Sequence, residues 1–142
     1  MKFRAVAAVV SAVWLAGAVT QMGAQQKTVW DGVYTEDQAK RGAEAYEKDC
    51  ASCHQADLAG DGFAPGLAGP EFAAAWEGLS VGDLLERIRI SMPPSDPNSV
   101  TTAAKADIIA HLLKMNQFPA GKTELPSDLD AAKQIQYKAS KP

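Results

Sequence analysis

The chain has only two cysteines, Cys50 and Cys53, and only two histidines, His54 and His111. Two thiols this close together cannot build a disulfide framework, which excludes a small scaffold held by cross-links. Beyond Lys2-Phe3-Arg4, basic runs are missing and no aromatic residue is interleaved with Arg or Lys, so the surface that grips nucleic acid is absent too. No internal repeat is visible and no window alternates as a strand does. The 142 residues suffice for one domain but not comfortably for two. The longest apolar stretch, Ala5 to Val19, is broken only by Ser11 and Gly17, and it falls short of the roughly 20 residues that a membrane-spanning helix needs.

That stretch follows Lys2 and Arg4. Small residues come after it (Ala16-Gly17-Ala18, then Met22-Gly23-Ala24), followed by polar Gln25-Gln26-Lys27. The order is that of a secretory leader over 1–24, with no stable membrane insertion once it is cleaved. Without Lys2 and Arg4 the 14 basic residues become 12, against 17 acidic ones, a net charge of −5. An acidic surface favours partners with a basic docking patch, a statement about encounter and not about identity.

In the remaining chain, 25–121 reads as the domain and 122–142 as a polar tail, laid over the domain or left loose. The fold is all-α, with three main helices. Thr35 or Asp37 caps the first, Glu36 to Asp49, in which Gly42, Ala43, Tyr46 and Cys50 recur at spacings of three and four. Asp57 to Gly69 is too punctuated by glycine and Pro65 for regular structure, and a short helix follows over Glu71–Glu77. Ser80 and Asp83 have capping-box spacing ahead of a helix over Val81–Ser91, which Pro93 and Pro94 stop. The third main helix runs from Thr102 to about Asn116, with an apolar stripe of Ala106, Ile109, Leu112 and Leu113.

The chemistry is concentrated in Cys50-Ala51-Ser52-Cys53-His54. Two thiols at this spacing with a histidine directly after the second are the attachment site of a c-type haem, one thioether to each vinyl group. His54 is then one axial iron ligand, its other ring nitrogen free to donate a hydrogen bond that orients it. Opposite it, Met92 is the best candidate. It sits where a helix gives way to Pro93-Pro94, and a soft thioether favours ferrous iron. Met115 and His111 are the weaker competitors. His111 reads better as a packing residue, and Met115 lacks a stiff loop. The alternatives are a haem c subunit that exchanges electrons only within a complex, and an enzyme or gas sensor with an open or different sixth ligand. Trp76 lies between the two ligand regions, where its indole either borders the haem or packs into the core. A core this small is marginal by itself, so a buried haem would supply apolar surface that the side chains cannot.

With these residues the chain resembles the class I cytochromes c, specifically small bacterial monohaem ones. The resemblance covers Tyr34 to Asn116. It rests on the helix with Gly42 and Tyr46, the CxxCH pentapeptide, Ala64-Pro65-Gly66-Leu67-Ala68-Gly69, Met92-Pro93-Pro94 and the terminal helix Ile108-Ile109-Ala110-His111-Leu112. It implies short helices as well as the three main ones, all wrapped around one covalent haem c. It also implies that Pro65 offers its carbonyl to the haem histidine, that Leu67 lines the pocket, and that Gly42 and Tyr46 let the first and last helices cross closely. His111 stands where the family commonly has an aromatic residue. The implied role is respiratory electron transport in the periplasm by an electron carrier, not an enzyme. Electrons would come from a periplasmic dehydrogenase and pass to a terminal oxidase or another cytochrome. The Leu67–Pro70 stretch, Trp76 and the Pro119-Ala120-Gly121 exit are similar to cytochromes that serve quinoprotein or alcohol dehydrogenases. A monomer or a loosely bound subunit is expected.

Overall fold

The computed structural model describes residues 26–142, and the segment read as an export leader lies outside them. The described residues form six helices and one very small sheet. In chain order these are β1 (Lys27–Thr28), α1 (Glu36–Asp49), α2 (Ala51–His54), α3 (Gly69–Trp76), α4 (Val81–Ser91), α5 (Thr102–Met115), α6 (Leu129–Lys133) and β2 (Ile135–Gln136). Among them, no helix is long and apolar enough to cross a membrane.

The helix boundaries follow from side chains that satisfy the first free N–H groups. Thr35 caps α1 by accepting from the Gln38 N–H, and Thr101 caps α5 by accepting from that of Ala104. At α4 the Ser80 hydroxyl takes the Asp83 N–H at 3.0 Å while the Asp83 carboxylate takes the Ser80 N–H at 2.8 Å, a reciprocal box. The Ser80 hydroxyl, which also donates to the Asp83 carboxylate at 2.7 Å, and then the Ser80 N–H hold that carboxyl below its ordinary pKa. Helix α3 begins two residues before the expected Glu71, with Pro70 at its start, where a missing N–H costs nothing. Its cap comes from another helix: Asn116, at the end of α5, accepts from the Gly69 N–H at 3.1 Å.

Helices α1 and α5 cross in direct backbone contact. A Cβ at Gly42 would collide with the Asp107 carbonyl, so only glycine permits this approach. Around the crossing, Ala39 and Tyr46 of α1 and Ile108, Ile109 and Leu112 of α5 are buried. Arg41 ties the rim, binding Asp107 at 3.0 Å and Glu124 at 2.9 Å.

Two expectations need correction. The segment 122–142 is part of the folded body and not merely a polar tail: Leu125, Ala132, Ile135 and Tyr137 are all buried. The Leu125 N–H and carbonyl are both bonded by the amide of buried Gln38 on α1, at 2.7 and 3.0 Å. Tyr137 packs edge-on against Phe72 and Phe118, and Trp30, near the other end, meets Phe118 and donates from Nε1 to the Lys138 carbonyl at 2.9 Å. The second correction is the sheet. β1 and β2 pair in parallel, Lys27 with Ile135 and Thr28 with Gln136. Two residues per strand are too few to leave a period of two in the sequence, and the pairing joins segments more than 100 residues apart.

The α1–α5 contact yields a stability test. Gly42→Ala should force the helices apart and cost about 1–3 kcal/mol, the usual penalty for overpacking. A lower melting temperature followed by circular dichroism is the expected result, and an unchanged melt would contradict the close crossing.

Candidate haem-binding site

The attachment turn is built where α1 ends. Cys50 closes α1, and its carbonyl accepts from the N–H groups of Cys53 and His54 at 3.2 and 3.1 Å, so α2 is one tight turn presenting both sulfurs and the imidazole. Tyr46 supports this turn from below, donating its hydroxyl to the Gln55 carbonyl at 2.8 Å. Cys50 is half-buried and Cys53 exposed, and neither is in a disulfide. Burial, with the charge of Asp49 adding to it, pushes the Cys50 thiol up to about 11.

His54 is buried, at 8% exposure. Its Nδ1 lies 2.8 Å from the Pro65 carbonyl oxygen. A carbonyl only accepts, so Nδ1 carries the proton and the Nε2 lone pair is left free. The loop that returns Pro65 to the histidine is firmly pinned. The Gly60 N–H bonds the His54 carbonyl at 3.0 Å and the Leu67 N–H bonds the Leu58 carbonyl at 2.8 Å. Asp61 accepts from the N–H groups of Phe63 and Ala64 at 2.9 and 2.7 Å, which lowers its own pKa. Gly60 has a φ of +76° and faces the Ala64 carbonyl too closely for a side chain, which is why glycine stands there. Buried Leu58 anchors the loop to the core.

The other expected site residues are placed as follows. Leu67 is half-buried, and its carbonyl accepts from the Asn116 side chain at 3.0 Å. Trp76 is half-buried at the end of α3, its ring 6.2 Å from that of Phe72. Met92 ends α4, half-buried, and lines a cavity of about 10 Å³ together with Cys50, Ile88, Pro93, Lys105 and Ile108. The structure thus brings the Met92 loop to the cysteine that closes α1. A larger groove of about 620 Å³, between α3 and the C-terminal residues Ala139 and Ser140, holds no cysteine, histidine or methionine. The competitors lie elsewhere. Met115 is exposed at the far end of α5, and the His111 ring packs 5.3 Å from that of Tyr46.

Two contributors escaped the sequence reading. Asn116 braces Leu67 and Gly69 from α5. Lys105 is 1% exposed and donates from Nζ to the carbonyls of Arg89 and Pro97 at 3.3 and 2.5 Å. Its spacing was a usable signal, since Lys105 stands four residues before Ile109 and so on the apolar stripe of α5.

These residues suit a covalently attached haem. The two thiols are unpaired and stand on one turn, the imidazole has one nitrogen committed to a carbonyl and the other free, and half-buried Leu67, Trp76 and Ile88 pack against the core. Among the described residues, no group of three or more His, Cys, Asp or Glu side chains is placed to hold a bare metal ion.

Fold and site together define an all-helical domain with a Cys50-x-x-Cys53-His54 attachment motif for one haem c, consistent with a class I cytochrome c-like wrap. The family model described as "Cytochrome C oxidase, cbb3-type, subunit III" matches residues 37–112, and the chain belongs to that family. Neither the curated proteins nor the solved structures offer a match.

His111 makes the stability of the domain depend on pH. Burial, then the charge of Lys114, lowers its pKa below the ordinary 6.5. As the pH falls through that ordinary value, the unfolded chain takes up a proton that the folded domain resists, and stability is lost. Between about pH 7.5 and 5.5 the melting temperature of His111→Phe should therefore fall less than that of the parent. Parallel slopes would show that His111 is not held neutral.

Proposed function

We propose that the chain is a one-electron relay in which Cys50 and Cys53 would anchor a haem c by thioethers and His54 and Met92 would hold its iron. The observation that carries this reading is the Pro65 carbonyl on His54 Nδ1, which fixes the tautomer and leaves Nε2 free to bind a metal. When bound, haem c supplies reversible Fe(III)/Fe(II) chemistry. The protein's own part is to hold and shield. The α2 turn fixes the sulfurs, the 58–67 loop orients the imidazole, and Pro93 and Pro94 stiffen the backbone that presents the Met92 thioether. Leu67, Trp76 and Ile88 keep water from the pocket. Fixed ligands change little between oxidation states, which suits a carrier and not an enzyme.

The family match favours work as the haem c module of a larger redox assembly, where electrons enter and leave through neighbouring subunits. The second reading is a free periplasmic carrier between a dehydrogenase and an oxidase or another cytochrome. It is supported by a described body that contains no helix fit to cross a membrane. Gentle solubilisation followed by size exclusion separates the two. Pigment that migrates with an oxidase complex supports the module, and pigment that migrates as a monomer supports the carrier.

The ligand assignment has its own test. Met92→Ala should abolish the far-red absorption band of thioether-ligated ferric haem, lower the reduction potential and let the reduced protein bind carbon monoxide. An unchanged spectrum and potential would remove Met92 from the iron and favour an open or differently filled sixth position.

A further inference from the structure

The loop that presents Met92 has no regular structure between the end of α4 and the start of α5, yet its two ends are tied to one buried side chain. Lys105, in the first turns of α5, donates from Nζ to the Arg89 carbonyl, three residues before Met92, and to the Pro97 carbonyl, five residues after it. The side chain is 1% exposed and lines the same small cavity as Met92 and Cys50. A buried lysine is costly to keep unless its donors are used, and an apolar residue would fill this stripe of α5 at lower cost. Burial, and after it the charge of Arg89, lowers the Lys105 pKa from its ordinary 10.5, while Asp96 favours the ammonium.

We infer that Lys105 is the positioning residue for Met92, and that its buried positive charge raises the reduction potential of the iron. The inference rests on the proposed Met92 ligation. The carbonyl ties hold the backbone on both sides of the methionine, so the thioether is presented without a search through loop conformers. A cation in a pocket of low polarity also opposes the extra positive charge of ferric iron, and water screens it poorly.

The test uses the haem-loaded full chain. Lys105→Met keeps the length and apolar stem but removes the donors and the charge. Lys114→Met removes an equal charge from the exposed face of the same helix, where Lys114 pairs with Glu36, and serves as the control. Relative to that control, Lys105→Met should shift the ferric-to-ferrous ratio at fixed solution poise about tenfold toward ferric, which is about 59 mV for one electron. It should also weaken the far-red band. Should the methionine variant not fold, Lys105→Gln is read by the same two quantities, because it keeps one donor group but no charge. A potential and band equal to those of Lys114→Met would overturn the inference. Met92→Ala, measured alongside, separates the two failures. If it leaves the band intact, the ligand reading is at fault. If it abolishes the band while the Lys105 variants change nothing, only the role of Lys105 falls.

Discussion

The structure depends on the near-contact of two helix backbones. Because residue 42 has no side chain, α5 lies directly on α1 at the level of the Asp107 carbonyl. That contact fixes the end of α1, where Cys50 begins the attachment turn, against the beginning of α5, where Lys105 and Ile108 stand. Tyr46, one turn beyond Gly42, then reaches past Cys50 to the carbonyl of Gln55. The site is therefore placed by the closest backbone contact between α1 and α5, and the loops complete it.

Those loops follow a common rule. The loop that orients His54 and the loop that follows Met92 are both irregular, and each is held by backbone groups that find a partner inside the domain. The 58–67 loop is tied by its own amides and by Asp61, and the loop after Met92 by the amine of Lys105. In a domain this small, an unpaired buried amide or carbonyl would consume a large part of the net stability. The final segment adds to the core by the same means: Gln38 satisfies both backbone groups of Leu125, and Tyr137 inserts its ring between Phe72 and Phe118.

Much of this was readable before any coordinates. Helices α1, α4 and α5 announce themselves by capping residues and by a stripe at spacings of three and four, both local features. The attachment turn is five adjacent residues. What stayed hidden depends on contacts distant in sequence. Leu125, Ala132, Ile135 and Tyr137 are separated by polar residues with no period, and they are buried only because α1, α3 and α4 provide surfaces for them. The β1–β2 ladder spans two residues and has no pattern to find. Lys105 reads as a solvated charge by residue type, although its position on the stripe says otherwise. Asn116 looks like a helix terminator, and its bracing of α3 is visible only once α3 and α5 are neighbours.

The short parallel ladder also bears on the helix that presents Met92. It sets Lys27 beside Ile135, and Gln136 in turn bridges to Ser80 at the start of α4. Met92 lies at the opposite end of that helix, 11 residues on, or about 16 Å at the rise of an α-helix. The ladder is thus closed at the pole of α4 remote from the methionine loop. Loosening it would be felt first at the cap of α4 and only afterwards at the turn that carries Met92.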